Sequence, residues 1–224
     1  MTPARDPRTA RVLLLAFAAV SAAHLLAIAV HLTPVQYATK PLLMPLLAAW
    51  VWALARPGTP RLLIPALLFG AGGDILLEIG GTAAFLAGMG SFAAGHVCYV
   101  TMFAKLGALA DRRRLLPVAA GYAVAWAVLI VLLWPDLDAG MRVPVAVYSL
   151  LLASTAVTAA RTNLWAGLGG ALFLFSDTLI ATDIAGWKHL PAHGFLIMLT
   201  YLAGQYLLTT GTLERTTRQD RRQD

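Results

Sequence analysis

Long apolar stretches with almost no charge recur along the chain, and they constrain its fold more than any other feature. A membrane-spanning α-helix needs about 20 predominantly apolar residues to cross a hydrocarbon layer about 30 Å thick. Charged residues, prolines and glycines divide the sequence into eight stretches of this kind. They are Val12–Leu32, Pro34–Ala55, Leu62–Ile79, Ala83–Phe103, Leu115–Trp134, Val143–Ala160, Leu164–Ile184 and Leu190–Gly211. The sequence therefore predicts an all-α membrane protein with eight transmembrane helices.

Composition excludes the soluble classes of protein. Of the 224 residues, 59% are hydrophobic and 12% are charged, whereas soluble domains carry about 25% charged residues. So much apolar surface cannot be hidden in one core, which excludes a cytosolic globular enzyme, a disordered chain and a nucleic-acid-binding protein. The single cysteine, Cys98, excludes an internal disulfide and a cysteine-rich metal site.

Basic residues are distributed unevenly between the two sides of the predicted bundle. If the eight stretches alternate in direction, only Lys40, Arg142 and Lys188 of the 17 basic residues fall on the side opposite the termini. Lysine and arginine are retained on the cytoplasmic side, so both termini are predicted to be cytoplasmic. We expect a cytoplasmic tail at residues 1–11, a transmembrane domain at 12–211 and a basic tail at 212–224, in a bacterial inner membrane. The net charge of +6 then reflects orientation and anionic lipid headgroups. The first stretch is too long for a signal peptide, which favours its retention as a helix.

Two aspartates lie deep within the predicted membrane, where a charged group costs at least about 2.5–3.5 kcal/mol. Counted at 1.5 Å per residue from Arg61 and Arg161, Asp74 and Asp177 each lie roughly 20–24 Å above the inner surface. We therefore expect both side chains to face one shared, lipid-accessible chamber. Glu78 and Asp183, by contrast, are predicted to lie near the outer ends of their helices and to reach water.

The surroundings of the two aspartates are similar. Residues 73–77 and 176–180 both read as a small residue, aspartate, any residue and two apolar residues. They fall in the third and seventh stretches, a pattern typical of a four-plus-four duplication with parallel halves. Chance similarity between two apolar helices explains the match equally well. Glycines precede both aspartates and predict close helix packing; they are Gly70, Gly72, Gly73, Gly167, Gly169 and Gly170.

Polar side chains of other stretches are predicted to reach the same depth. They are His24, His31, Lys40, His96, Tyr99, His193 and Tyr201. On the fourth stretch, Gly88, Phe92, His96 and Tyr99 share one helix face. A metal centre of Asp74, His96, Asp177 and His193 is allowed by residue type, but no paired histidine spacing supports it. We therefore expect neither a metal nor a cofactor.

Two carboxyl groups in a poorly hydrated site repel each other, so one holds a proton at neutral pH while the other is ionised. Such a pair suits acid-catalysed cleavage of an ether-type bond through an oxocarbenium ion, as in glycosidases. The motifs of serine esterases and zinc peptidases are absent from the sequence. Two other functions remain open: a proton-coupled transporter of small molecules or lipids that uses the aspartates as relay groups, and a structural protein.

Several motifs occur in a characteristic order between residues 20 and 211. They are Lys40-Pro41, Gly73-Asp74-x-x-Leu77, Phe85-x-x-Gly88-x-x-x-Phe92-x-x-x-His96-x-x-Tyr99, Gly170-Ala171 followed by Phe173 or Phe175 and Ser176-Asp177, and Tyr201-x-x-x-Gln205. In order and spacing they resemble the YhhN family of integral membrane proteins.

The resemblance implies a function. The family includes lysoplasmalogenases, which hydrolyse the vinyl-ether bond of lysoplasmalogens to a fatty aldehyde and a glycerophospho-base. It implies that Asp74 and Asp177 are catalytic, one protonating carbon and the other orienting water. Supporting or substrate-binding residues are expected to be Lys40, Glu78, His96, Tyr99, Ser176, Tyr201 and Gln205. The expected partners are a lysophospholipid or another ether lipid, together with membrane lipids.

Overall fold

The computed structural model describes residues 6–55 and 58–220, and this part of the chain contains eight α-helices and no strand. The helices are α1 (Pro7–Ala29), α2 (Thr33–Leu54), α3 (Leu63–Ile79), α4 (Thr82–Lys105), α5 (Arg112–Leu133), α6 (Ala139–Ala160), α7 (Leu164–Ile184) and α8 (His193–Asp220). Each predicted apolar stretch corresponds to one helix, so the all-α prediction is confirmed.

Five of these helices are long and apolar enough to cross a membrane, namely α1, α4, α5, α6 and α7. Of the other three, α3 has only 17 residues. The hydropathy of α2 is lowered by Gln36, Lys40 and the helix's prolines, and α8 continues into polar sequence as far as Asp220. Large apolar side chains point outward, as a lipid environment requires: Val124 and Val131 of α5 are 64% and 70% exposed. The protein is therefore a multi-pass integral membrane protein.

The ends of α1 differ from the apolar stretch that predicted it. The helix begins at Pro7, where the Asp6 carboxylate accepts hydrogen bonds from the Arg8 amide (2.9 Å) and the Thr9 hydroxyl (2.7 Å). These bonds hold the pKa of Asp6 below its usual value. At the other end α1 stops at Ala29, and His31 lies in the turn to α2 with a left-handed φ of 56°. The prediction that His31 lies inside the first span is wrong.

The chain divides into two compact units, here called the first unit (residues 1–102 and 212–224) and the second unit (residues 103–211). In the first unit, α3 and α4 pack closely through small residues. A Cβ atom on Gly73 would lie 2.5 Å from the Phe92 ring, and one on Gly88 would lie 3.2 Å from the Gly73 carbonyl oxygen. The predicted glycine packing beside Asp74 is thereby confirmed.

In the second unit, α7 and α8 are antiparallel and contact each other along most of their length. At one end the Asn163 amide donates to the Gly211 carbonyl (2.6 Å). Further along, a Cβ atom on Gly169 would lie 2.5 Å from the Leu208 nitrogen. The Ser176 hydroxyl then donates to the Ile197 carbonyl (3.0 Å). This packing holds α7, and with it Asp177, in a fixed position relative to α8.

Candidate functional site

Asp74 is buried in the first unit, with 3% of its surface exposed. From the neighbouring helix α2, the Lys40 ammonium lies 3.9 Å from Asp74 Oδ1, and the exposed fractions of the two side chains are 18% and 5%. Because so little water screens the two charges, their attraction is stronger than that of a surface pair. Lys40 is thus the cationic partner of this carboxylate.

Two further ionisable side chains lie near Lys40, since its charge acts on both Glu78 and His24. Glu78 follows Asp74 by one helical turn, so both carboxylates lie on the same side of α3. The ring of His24 is buried, and its Nδ1 lies 2.8 Å from the Thr39 hydroxyl. That hydroxyl donates its hydrogen to the Val35 carbonyl (2.6 Å). The first unit therefore groups a lysine, two carboxylates and an imidazole.

The predicted face of α4 is buried as well. His96 is 0% exposed and Tyr99 is 1% exposed, and Phe92 and Gly88 of the same face contact α3. Phe92 and Gly88 therefore serve to pack α4 against α3. His96 and Tyr99 are thus polar side chains in the interior of the first unit and do not face the lipid.

Asp177 is half-buried in the second unit and accepts, at Oδ2, a hydrogen bond from the Tyr148 hydroxyl of α6. Tyr148 is absent from the predicted site. A tyrosine in an apolar helix gives no signal by itself, but its position along the chain does. Tyr148 lies a few residues from the start of the sixth stretch, and Asp177 lies about as far from the end of the seventh. In antiparallel helices these two positions fall at nearly the same level.

The other predicted residues of the second unit contribute to the packing around Asp177. Ser176 is 0% exposed and its hydroxyl is bonded to the Ile197 carbonyl of α8. The ring of Tyr201 meets Phe173 edge to face, with 5.3 Å between centroids. Tyr201 and Gln205 are 4% and 1% exposed. Tyr201 and Gln205, one turn apart on α8, are thus polar side chains in the interior of this unit.

The sequence also does not predict a cluster of polar side chains at the end of α7. The nearest Asp183 oxygen, Oδ1, lies 2.8 Å from His189 Nε2 and 2.9 Å from His193 Nε2, and the two rings stack at 4.8 Å. The expectation that Asp183 simply reaches water is therefore incomplete, because it also joins the α7–α8 turn to α7. Among residues 6–55 and 58–220, no group of three or more His, Cys, Asp or Glu side chains could hold a metal ion.

Comparison with known proteins identifies the family. The model of the YhhN family matches residues 35–212. A lysoplasmalogenase of Mycobacterium tuberculosis (strain CDC 1551 / Oshkosh) is 36% identical over 160 residues, which is 67% of this chain and 60% of that protein. Lysoplasmalogenase TMEM86B of Homo sapiens is 33% identical over 168 residues, 75% of this chain and 70% of that protein. Lysoplasmalogenase TMEM86A of Bos taurus is 28% identical over 190 residues, 76% of each protein.

The extent of these matches differs between relatives. The chain spans about 60% of the length of the mycobacterial proteins that it matches. No solved structure matches the chain. The family model alone covers well over half of the sequence, and the motifs around Asp74 and Asp177 lie within the matched region. The chain therefore belongs to the YhhN family.

Proposed function

We propose that this protein is a membrane-embedded ether-lipid hydrolase, which cleaves the vinyl-ether bond of lysoplasmalogens to give a fatty aldehyde and a glycerophospho-base. Relatives named lysoplasmalogenase support the reaction. The observation that carries the proposal is the environment of the two aspartates. Each lies in an apolar helix with a polar partner, Lys40 for Asp74 and Tyr148 for Asp177. Ionisable groups retained at this cost within a membrane protein are characteristic of functional sites.

The proposed reaction begins with proton transfer to carbon. One aspartic acid gives its proton to the β-carbon of the vinyl ether, and the π electrons form the new C–H bond. The ether oxygen stabilises the cation at the α-carbon as an oxocarbenium ion. The second aspartate, ionised, removes a proton from a water molecule as the water oxygen bonds to the α-carbon. The hemiacetal then collapses. Its hydroxyl gives its proton to the first aspartate, which restores the acid, and the hydroxyl oxygen becomes the carbonyl oxygen of the aldehyde. The bond to the glycerol oxygen breaks, and that oxygen takes up the proton held by the second aspartate.

Seven other residues support this chemistry in the proposal. Lys40 compensates the charge of Asp74 and can attract the phosphate of the lipid headgroup. Ser176 fixes α7 beside Asp177. The remaining five supply polar groups around the two aspartates: Glu78, His96, Tyr99, Tyr201 and Gln205.

The proposal also includes the topology. All eight helices cross the membrane, both termini are cytoplasmic, and the protein resides in a bacterial inner membrane. The basic residues concentrated on the side of the termini support this orientation. The similar segments at 73–77 and 176–180 support a parallel four-plus-four duplication.

The test is aldehyde release by the purified full-length protein in detergent or liposomes. We expect the protein to release aldehyde from a 1-alkenyl lysophospholipid and none from the 1-alkyl analogue, which has no double bond to protonate. Asp74→Asn and Asp177→Asn should each lower kcat by about 100- to 10,000-fold, the usual contribution of a general acid or base.

Asp138→Asn is the matched control, because Asp138 precedes α6 without a side-chain capping bond. It should retain wild-type activity. The proposal is wrong if the wild-type protein releases no aldehyde, or if the double variant of Asp74 and Asp177 remains active. Solute uptake into liposomes without lipid turnover would instead support the transporter.

A further inference from the structure

We infer that Arg142, in the first turn of α6, binds the phosphate of the lysolipid headgroup. This assignment rests on the proposed function and names the residue that recognises the glycerophospho part of its substrate. It uses residues of the second unit alone. The observation behind it is a guanidinium group that is held along one edge and free along the other.

The chain that leads into α6 holds the guanidinium in place. Arg142 Nε donates to the Leu137 carbonyl (3.1 Å), and Leu137 is 2% exposed. The guanidinium carbon lies over the indole of Trp134, 5.8 Å from the ring centroid, which is a cation–π distance. A guanidinium fixed in this way loses little side-chain freedom when it binds a ligand.

The two terminal nitrogens of Arg142 make no hydrogen bond in the part of the chain that the structure describes, although the side chain is half-buried. Within the same residues, no carboxylate oxygen lies within 4 Å of the guanidinium. Asp136, in the turn before α6, accepts a hydrogen bond from the Trp187 indole instead (2.8 Å). A free terminal edge of arginine is suited to two parallel hydrogen bonds to a phosphate.

The start of α6 adds to the attraction for an anion. Its N-cap residue, Asp138, makes no side-chain hydrogen bond to the helix, so the first amides of α6 are not capped by it. A Cβ atom on Gly140 would meet no atom within 4 Å, which leaves open space beside these amides. A phosphate here would compensate both the guanidinium and the positive end of the helix dipole, next to which an unpaired arginine is unfavourable.

The distance from Arg142 to the hydrogen bond between Tyr148 and Asp177 suits a lysolipid. Tyr148 follows Arg142 by six residues on α6, which corresponds to about 9 Å along the helix axis. Both side chains lean towards the N-terminus of α6, so this separation is kept at their tips. In a lysoplasmalogen, six bonds join the α-carbon of the vinyl ether to phosphorus, about 7 Å in an extended chain. The contacts at the two ends add about 3 Å each, so a lipid with its vinyl ether at Asp177 can place its phosphate at Arg142.

Other cations of the chain are less suited to this role. Under the proposed topology, only Lys40, Arg142 and Lys188 lie on the side opposite the termini, where basic residues are rare. Lys40 forms an ion pair with Asp74, and Lys188 is exposed in the turn after α7. Arg142 is the one of the three that is both half-buried and fixed by its neighbours.

The experiment compares Arg142→Gln with wild type on two substrates, a 1-alkenyl lysophospholipid and the 1-alkenyl glycerol that lacks the phosphate. We expect KM for the lysophospholipid to rise about 10- to 100-fold, the usual contribution of hydrogen bonds between charged groups, with kcat nearly unchanged. KM for the alkenyl glycerol should not change. Arg142→Lys keeps the charge but loses the paired hydrogen bonds, so its KM should be intermediate. Lys188→Gln is the matched control, because it removes an exposed cation from the same unit, and it should behave as wild type.

Binding without catalysis supplies the second measurement. A tritiated 1-alkyl lysophospholipid, which has no double bond to protonate, should bind Arg142→Gln about 10- to 100-fold more weakly than wild type. The 1-alkyl glycerol should bind both proteins equally. If affinity and KM for the phosphate-bearing lipids are unchanged, if the lipids without phosphate are affected equally, or if Lys188→Gln shows the same loss, the role of Arg142 is overturned while the hydrolase stands. If the wild type releases no aldehyde, the proposed function itself fails, and the binding measurement still decides whether Arg142 holds the phosphate.

Discussion

Asp74 and Asp177 show two ways in which a membrane protein can retain a carboxyl group in an apolar helix. A cation compensates Asp74, and a phenol hydroxyl solvates Asp177. The sequence identifies both aspartates, because an acidic residue inside an apolar stretch is conspicuous and costly. It does not identify Tyr148, because tyrosine is common in membrane helices and its role depends on which helix face meets α7. The partners of His24 and Asp183 escape prediction for the same reason.

Lys40 offers a test at the scale of one residue. Lys40→Met keeps the length of the side chain but removes the cation that lies 3.9 Å from Asp74. Loss of one partner from a buried pair costs about 3–5 kcal/mol, and partial exposure of Lys40 places the effect at or below the lower end of that range. We expect a lower melting temperature. We also expect kcat to fall at least about tenfold, because an interaction with a charged group contributes about 1.5–3 kcal/mol.

Two variants serve as controls for Lys40→Met. Lys40→Arg keeps the positive charge and should retain a large part of the activity. Lys105→Met removes an exposed lysine at the end of α4 and should behave as wild type. Equal activity and stability of Lys40→Met and Lys105→Met would show that the ion pair contributes nothing.

At the scale of elements, glycines determine how closely the helices approach. The sequence predicts small-residue packing around both aspartates, and the structure shows the contacts that result, from Gly73 against Phe92 to Gly169 against Leu208. The pattern does not reveal which helix lies opposite each glycine, because helix partners depend on contacts between distant residues. The sequence also does not reveal the geometry of the turns. Neither His31 nor Ala192 would be expected to adopt a positive φ, yet the turns before α2 and α8 place them there.

Gly169→Ala tests the contact between α7 and α8. The added methyl group would lie 2.5 Å from the Leu208 nitrogen and 2.7 Å from the Gly204 carbonyl oxygen, and backbone atoms cannot move aside as a side chain can. We expect a lower melting temperature, corresponding to about 1–3 kcal/mol of overpacking, measured by thermal unfolding in detergent.

Gly90→Ala is the matched control on α4, since a methyl group at Gly90 would meet no atom within 4 Å. Alanine is the better helix former by about 1 kcal/mol, so this variant should melt at the same temperature as wild type or higher. If both variants melt at the same temperature, close α7–α8 contact at Gly169 is not a source of stability.

At the scale of the whole molecule, the number of helices and their order follow from local information. Apolar length and the breaks between stretches are visible in the sequence, and all eight helices match them. The sequence predicts the ends of the helices less well, as α1 and α8 show, because a helix can extend into polar sequence beyond its apolar stretch. The division into two compact units cannot be predicted from the sequence, because it depends on which helices pack together.

Cysteine accessibility tests the proposed topology. Cys98 is the only cysteine in the chain, so Cys98→Ala provides a background for single cysteines. A membrane-impermeant maleimide applied to intact cells should label cysteines at Asp138 and Lys188, in the outer turns. Cysteines at Ala110 and Leu164 should react only after lysis. Labelling in the reverse order, or at all four positions from one side, would contradict eight alternating spans.

Proton transfer to carbon is the chemical step that distinguishes the proposed hydrolase from a carrier or a structural protein. Isotope incorporation observes this step directly. Purified protein acting on a 1-alkenyl lysophospholipid in D₂O should give an aldehyde with one deuterium on the carbon next to the carbonyl group. The aldehyde is trapped as an oxime, and its mass is measured by mass spectrometry. Unlabelled aldehyde in the same buffer is the control for deuterium exchange with the solvent. Aldehyde without deuterium would contradict protonation by an aspartic acid, and the absence of aldehyde would contradict the hydrolase.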